Sequence, residues 1–204
     1  MEMDNALRGA GVKTTLLSSL FQSITARTAG FNTVDIGILT NSTILILILL
    51  MFIGASPGST GGGIKTTSFS LLLLLVVSRF KGSENVNVAN RTIPQETIEK
   101  TISIVLAAIF FVCLITSVLL FFGGTDDTPA ASRHKFVEYL FETVSAFATV
   151  GLSMGITDKL NDIQKIAITF MMFAGRVGPL TLAFALYSAR KKGITYAEET
   201  VMVG

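Results

Sequence analysis

Residues 54–67 read GASPGSTGGGIKTT. This stretch could belong to either of two classes of protein, one that binds a nucleotide and one that is embedded in a membrane. It lies between two apolar runs, ILILILLMFI at 44–53 and FSLLLLLVV at 69–77. A phosphate-binding P-loop needs G-x-x-x-x-G-K-[ST]. Gly58 and Gly63 have the required separation, but Ile64 stands before Lys65, so the lysine comes one place too late. The stretch therefore favours a membrane helix interrupted at its middle over a nucleotide site.

Composition supports the membrane class. Half of the 204 residues are apolar and 15% are charged, against about 25% charged in ordinary soluble domains. The mean hydropathy is +0.64. The net charge of +2 is small and scattered, so we do not expect nucleic acid as a partner. Cys113 lies in an apolar run and is expected to be buried. No strand–helix alternation typical of a nucleotide enzyme is visible, and we predict that the chain is not an enzyme.

Segment lengths predict how the chain crosses a bilayer. Residues 98–122 and 163–189 are each long enough to span about 30 Å of hydrocarbon. Residues 43–53 and 69–77 are each too short, and joined through the glycine-rich stretch they form one broken crossing. We therefore predict an all-α integral membrane protein.

Two shorter segments, 16–26 and 137–148, have the length of re-entrant half-helices. Each precedes a turn that contains glycine, and the two regions belong to an internal repeat. The matched segments are LFQSITA at 20–26 with LFETVSA at 140–146, TAGFN at 28–32 with TVGLS at 149–153, and MFIG at 51–54 with MFAG at 172–175. The order of half-helix, turn, linker and long helix thus occurs twice.

The repeated turns have the chemistry of a cation filter. The C-terminal carbonyls of a half-helix carry partial negative charge, and exposed backbone oxygens can replace the hydration shell of K⁺. Gly30 and Gly151 suit such a path because unusual backbone angles cost glycine little. The alternative interpretation is that each turn is an ordinary helix-ending turn. The occurrence of the same glycine turn in two matched copies favours the filter.

Charged loops predict the orientation. The segment 79–100 carries Arg79, Lys81, Arg91 and Lys100, and three basic residues follow at 190–192. An excess of Lys and Arg marks the cytoplasmic side. The prediction is a multi-pass protein of the plasma (inner) membrane whose glycine turns open outward and whose C-terminus is cytoplasmic.

Four motifs together resemble the Trk/Ktr/HKT superfamily of potassium transporters, in particular the Ktr membrane subunit. They are FQSITARTAGFNTVD, FIGASPGSTGGGIKTT, FETVSAFATVGLSMGIT and FAGRVGPLT. The resemblance implies a channel-like fold with four helix–pore-loop–helix (M1-P-M2) units in pseudo-fourfold symmetry. This chain would be the C-terminal half, containing the third unit without its leading helix and the complete fourth unit.

The resemblance also implies boundaries. Residues 1–80 would hold the pore helix, filter and broken second helix of the third unit, and 81–97 a cytoplasmic linker. Residues 98–190 would form the fourth unit, and 191–204 a cytoplasmic tail. The missing units would come from the rest of a longer chain or from another polypeptide.

The resemblance assigns two sets of site residues. The filter would use main-chain carbonyls to hold K⁺, and its residues are Thr28, Ala29, Gly30, Phe31, Thr149, Val150, Gly151 and Leu152. A gate below the filter would comprise Gly54, Ala55, Ser56, Pro57, Gly58, Ser59, Thr60, Gly61, Gly62, Gly63, Lys65 and Arg176.

The implied ion is K⁺, with Na⁺ as a candidate activator and no organic cofactor. The implied partners are the lipid bilayer, a second membrane subunit in a homodimer, and a cytosolic nucleotide-binding regulatory ring. Three alternatives stay open at this point: an ordinary pore-loop cation channel subunit without a transporter-type gate, a Na⁺-conducting relative, and a non-conducting scaffold.

Individual charges give further expectations. Arg176 lies within a predicted span, where a charge is costly and faces a cavity or partner, and we expect it to contact carbonyls of the glycine-rich stretch. Lys65 is either a gating contact or an anchor for the next helix. His134 is placed in a polar loop. Glu138 and Glu142 are four residues apart on one helix face, and we expect them to be solvated or packed against other pore units.

Overall fold

The computed structural model describes residues 9, 11–83, 85–88, 91–124 and 128–178. The fold is helical over this part of the chain. Its α-helices are α1 Val12–Thr25, α2 Asn41–Phe52, α3 Thr66–Phe80, α4 Gln95–Phe122, α5 Pro129–Ala148 and α6 Asp162–Val177. Two 3₁₀ turns, Ile36–Ile38 and Thr157–Lys159, follow the two predicted filter turns at some distance.

Helix α5 is the centre of the packing. It lies against α2, α4 and α6, and each residue from 141 to 148 is buried. Phe141 and Phe147 are among the largest fully buried side chains, together with Met51 of α2, Leu119 of α4 and Met171 of α6. The C-terminal end of α5, where the second glycine turn begins, is therefore enclosed by protein on several sides.

The predicted break between two apolar helices is present as α2, a loop and α3. We call residues 54–65 the glycine loop. Its two ends meet, because Gly54 N donates to Ile64 O at 2.8 Å and Ile64 N donates to Phe52 O at 3.2 Å. A Cβ on Gly54 would overlap the carbonyl of Gly62. The loop thus leaves and re-enters the helical path at one place, which confirms the interruption predicted from its glycines and proline.

The start of α6 is fixed to two other helices. Asn161 and Gln164 form a reciprocal capping box, a pair that satisfies two free N–H groups at a helix start. Asn161 also donates to Phe122 O at 2.9 Å, and Gln164 donates to Leu119 O at 2.7 Å. Since Phe122 and Leu119 belong to the last turn of α4, these bonds hold α4 and α6 together at one end.

The prediction of one continuous helix over 163–189 is wrong. Helix α6 ends at Val177, and Gly178 has φ 94° and ψ 133°. Residue 179 is a proline, which disfavours helical angles in the residue before it and cannot donate to the helix. The rest of the predicted span, residues 179–189, the basic segment 190–192 and the predicted tail 191–204 lie outside the described residues.

The second half-helix is longer than predicted. It begins at Pro129 instead of residue 137, with Thr128 as its N-cap and proline in the favoured first position. Polar residues 132–135 continue the helix because none of them breaks it. His134 is therefore helical, not in a loop, and its Nδ1 lies 3.1 Å from Glu138 Oε1.

Three further features complete the fold. Within the described part of the chain, α4 is the one helix long and apolar enough to cross a membrane. Residues 81–97 contain a pair of two-residue antiparallel strands, β1 Asn87–Val88 and β2 Arg91–Thr92, a small addition to the predicted all-α class. Cys113 is exposed, contrary to expectation, because it lies beside the buried stripe of α4 that includes Val112 and Ile115.

Candidate functional site

The two glycine turns share an irregular backbone. Thr28 and Gly30 have φ of 71° and 77°, and Thr149 and Gly151 have φ of 54° and 88°. Positive φ is uncommon for a β-branched residue such as threonine. In each turn the residue between threonine and glycine does not have positive φ, so the sign of φ alternates. The sequence match between the turns is therefore also a match of backbone conformation.

The two turns lie directly against each other. A Cβ built on Gly30 would lie 2.5 Å from the carbonyl oxygen of Val150, and one built on Gly151 would lie 3.8 Å from Gly30 Cα. Backbone thus faces backbone, with no side chain between them. Glycine is required at position 30 because any side chain there would displace the Val150 carbonyl.

Different side chains hold the two turns. In the first, Thr25 Oγ1 donates to Phe31 O and accepts from Phe31 N at 3.0 Å. In the second, Glu142 Oε1 accepts hydrogen bonds from Ser153 Oγ and from Thr157 Oγ1, the latter at 3.0 Å. Each bond joins the helix before the turn to the segment that follows the turn, which we call the limb (residues 31–36 in the first repeat and 152–157 in the second).

The placement of Glu142 corrects an expectation. The residue is 6% exposed and forms its hydrogen bonds within its own repeat unit. It is therefore neither solvated nor packed against another pore unit. Ser153 and Thr157 also belong to this set of side chains, which sequence reasoning missed. The sequence does contain a signal for these residues, because the repeat aligns Gln22 with Glu142. A carboxylate that replaces an amide in a buried helix needs hydrogen-bond donors nearby.

The glycine loop contacts both turns at their threonines. Gly62 N donates to Thr149 Oγ1 at 2.8 Å. A Cβ on Gly61 would lie 2.9 Å from Thr28 Oγ1, and one on Gly62 would lie 2.8 Å from Phe147 O. The absence of side chains at 61 and 62 is what allows the loop to approach so closely.

Two basic side chains bind carbonyls of the glycine loop. Arg176 Nη1 donates to Thr60 O at 2.5 Å, the contact expected from the sequence. Lys65 Nζ donates to Gly61 O at 2.6 Å and to Ser59 O at 3.2 Å. Lys65 is also the N-cap residue of α3, so it both contacts the loop and stands where α3 begins.

The remaining predicted residues fall into two groups. Val150 and Leu152 are buried, whereas Phe31 is 71% exposed. The tip of the glycine loop, residues 56–60, is exposed and closes as a turn in which Ser59 N donates to Ser56 O at 3.2 Å. A cavity of about 210 Å³ lies beside the loop, and Lys65, Lys100 and Arg176 contribute to its lining.

Comparison with known proteins gives the relationship. A family model described as "TrkH: Cation transport protein" matches residues 5–192. The chain belongs to the TrkH family. The family is one of cation transport proteins, which confirms the predicted superfamily and agrees with the prediction of a non-enzyme.

Curated relatives are similar to this chain over most of its length. It is 39% identical over 208 residues to Ktr system potassium uptake protein D of Bacillus subtilis (strain 168), a match that covers 100% of this chain and 44% of that protein. Ktr system potassium uptake protein B of Vibrio alginolyticus is 37% identical, with 92% of this chain and 39% of the relative covered. The chain thus spans less than half the length of these relatives.

Two further comparisons concern the ion and the fold. The potassium/sodium uptake protein NtpJ of Enterococcus hirae is 35% identical, covering 93% of this chain and 42% of that protein. The structure of the potassium transporter TrkH from Vibrio parahaemolyticus matches with a TM-score of 0.74 and 21% identity, over 87% of this chain and 38% of that one. The chain therefore has the fold of the matching part of a TrkH transporter.

Proposed function

We propose that this chain forms part of a K⁺-conducting pore in the plasma membrane and supplies two of its filter turns. One observation carries the proposal: two turns with the same alternating backbone lie against each other, although they are far apart in sequence. The family of cation transport proteins supports the same function.

The filter would act through main-chain carbonyls of residues 28–31 and 149–152. Carbonyl oxygens can replace the water around K⁺, and irregular backbone within a membrane is tolerated where it lines a path or is buried in protein. The C-terminal end of α5 adds partial negative charge beside the second turn. Burial of residues 141–148 strengthens this effect, since electrostatic interactions grow as the local dielectric constant falls.

The glycine loop, with Arg176, would be the gate. The loop contacts both filter threonines, so an ion leaving the turns on that side meets it first. Arg176 holds the carbonyl of Thr60 and places a positive charge beside the loop, which opposes the passage of a cation. Lys65 ties the loop to itself through Gly61 and Ser59.

Two filter turns do not close a ring, and we propose that further pore units complete it. The apolar face of α1 supports this, because its side chains are largely uncovered: Val12 68%, Leu16 66%, Leu17 57%, Leu20 59% and Ile24 60% exposed. In this proposal 1–80 and 98–190 are pore units joined by the cytoplasmic linker 81–97, with outward turns and a cytoplasmic C-terminus. The assembled protein would be a homodimer that binds a cytosolic nucleotide-binding ring.

A second candidate is a pore that carries Na⁺ as well as K⁺, or uses Na⁺ as an activator. It is favoured by the similarity to NtpJ, which is named for both ions. Measuring uptake of both ions in one assay separates the two candidates.

A chimaeric pore tests the proposal. This chain would replace the matching 44% of the Bacillus subtilis protein D, in bacteria that lack their own K⁺ uptake. We expect the chimaera to restore growth at low K⁺ and to take up Rb⁺ faster than Na⁺, whereas the chain alone should not restore growth. A chimaera that reaches the membrane in normal amount but carries no ion would contradict the proposal.

The gate is tested in the same chimaera with Arg176→Ala. Removing the charge and its bond to Thr60 O should raise K⁺ flux severalfold. Arg79→Ala is the matched control, because Arg79 lies in the last turn of α3, at the opposite end from the loop, and should leave flux unchanged. Equal flux in wild type and Arg176→Ala would show that Arg176 supports the pore without restricting it.

A further inference from the structure

A buried carboxylate is hydrogen-bonded to the chain that follows the second glycine turn, residues 149–152. Glu142 of α5 is 6% exposed, and its Oε1 accepts hydrogen bonds from Ser153 Oγ and Thr157 Oγ1. Ser153 lies two residues after Gly151, on the limb that leaves the turn. The carboxylate therefore joins the helix that enters the turn to the chain that leaves it.

The bonds continue into the backbone of that limb. Ser153 Oγ accepts from Gly155 N at 3.0 Å and lies 3.0 Å from Thr157 Oγ1. Two hydroxyl groups thus bond to a single carboxylate, and one of them, on Ser153, also accepts from a backbone amide. Because both hydroxyl groups donate to the same carboxylate oxygen, residues 153 and 157 are tied to one residue of α5.

The fold itself does not require a carboxylate at this position. The repeat places Gln22 there in the first unit, and both polar atoms of its buried amide have no hydrogen-bond partner within the described residues. Thr25 fastens the first turn instead. A buried carboxylate is costly unless it is hydrogen-bonded. We therefore attribute the presence of a carboxylate at position 142 to the contacts that it makes with the second turn.

The surroundings leave space for the turn to move if the carboxylate is removed. A cavity of about 390 Å³ adjoins it, and Glu142, Thr149, Gly151, Ser153 and Met172 contribute to its lining. The bonds to Glu142 hold residues 153 and 157 at one side of this cavity. Loss of those bonds would let residues 151–155 relax toward it.

We propose that Glu142 is a positioning residue which, through Ser153 and Thr157, holds the limb after Gly151 and thereby sets the preference of the filter for K⁺ over Na⁺. The selectivity role rests on the proposed function of residues 149–152. A restrained limb keeps the carbonyls at one spacing, whereas a loosened limb lets them close around the smaller Na⁺.

Hydrogen–deuterium exchange of the full chain in lipid nanodiscs tests the restraint, independently of conduction. Glu142→Leu should speed exchange in the peptide 149–157 about tenfold, because both hydrogen bonds to its side chain are lost. Gln22→Leu is the matched control and should leave exchange in 28–36 unchanged. Ser153→Ala should act like Glu142→Leu, and Glu142→Gln should restore part of the protection because its amide oxygen also accepts.

Thermal stability separates positioning from a purely structural role. Leucine fills a similar volume and removes a buried polar group that needs hydrogen-bond partners, so the melting temperature of Glu142→Leu should be no lower than that of wild type. A lower melting temperature, with exchange faster throughout α5, would mean that Glu142 serves the fold, and the proposal would be overturned. Unchanged exchange at 149–157 would overturn it as well.

Selectivity is measured in the chimaeric pore. The ratio of Rb⁺ to Na⁺ uptake should fall severalfold in Glu142→Leu and partly recover in Glu142→Gln. An unchanged ratio in a conducting pore would overturn the selectivity role. If the wild-type chimaera itself carries no ion while exchange in the nanodisc responds as expected, the proposed function fails and the restraint by Glu142 stands.

Discussion

Helices α1 and α5 carry the same sequence pattern and end in the same kind of turn, yet their surroundings differ. Every residue from 141 to 148 of α5 is buried, whereas in the matching part of α1 the buried residues are Gln22, Thr25 and Ala26. Phe141 is fully buried, and its counterpart Phe21 is 39% exposed. Despite this, both helices are followed by threonine and glycine with positive φ.

This difference shows that the turn conformation depends on the local residues, whereas burial depends on the neighbouring helices. The turn conformation occurs in an enclosed unit and in an open one, so it does not depend on enclosure. Burial depends on α2, α4 and α6, which surround α5. The uncovered face of α1 is where the proposal places further pore units, and the predictions below test each side of this comparison.

The largest expected effect is on stability. Phe141→Ala should cost about 3–5 kcal/mol, the usual cost of emptying a fully buried phenylalanine site. Phe21→Ala should cost much less in the chain alone, because Phe21 is already partly exposed. Thermal unfolding of the two variants in detergent measures the difference. Similar losses would indicate that α1 is covered when the chain stands alone.

The two filter glycines should respond unequally. Alanine with left-handed backbone angles costs about 1–2 kcal/mol, and both positions bear this cost. Gly30→Ala also places a methyl 2.5 Å from Val150 O, and such overpacking adds about 1–3 kcal/mol. K⁺ uptake by the chimaera should therefore fall more in Gly30→Ala than in Gly151→Ala. The opposite order would contradict the observed contact between the turns.

The smallest of the three effects concerns the contact between turn and gate. Thr149→Val keeps the shape of the side chain but leaves the buried Gly62 N–H without its acceptor, at a cost of about 1–3 kcal/mol. Exchange of residues 59–64 should become faster. Thr28→Val is the control, because Thr28 contacts Gly61 by packing, and it should leave this exchange nearly unchanged. Equal effects would mean that the hydrogen bond from Gly62 does not hold the loop.

Sequence reasoning recovered most of the helices and missed features that depend on contacts. It placed the break between α2 and α3 because glycine and proline interrupt helices locally. It overextended α6 past Gly178 because apolar length was counted without weighing the proline that follows. It cut α5 short because residues 132–135 are polar, although they are compatible with a helix once Thr128 caps its start.

The sequence by itself determined the repeat, the break between α2 and α3 and the two glycine turns, since these follow from residue type and spacing along the chain. Only the tertiary structure decided that Gly30 faces Val150, that Gly62 donates to Thr149, and that Glu142 holds Ser153. Those contacts join separate segments or depend on how a turn folds back on its helix. Spacing does not encode such distances, which are set when α5 is enclosed by the helices around it.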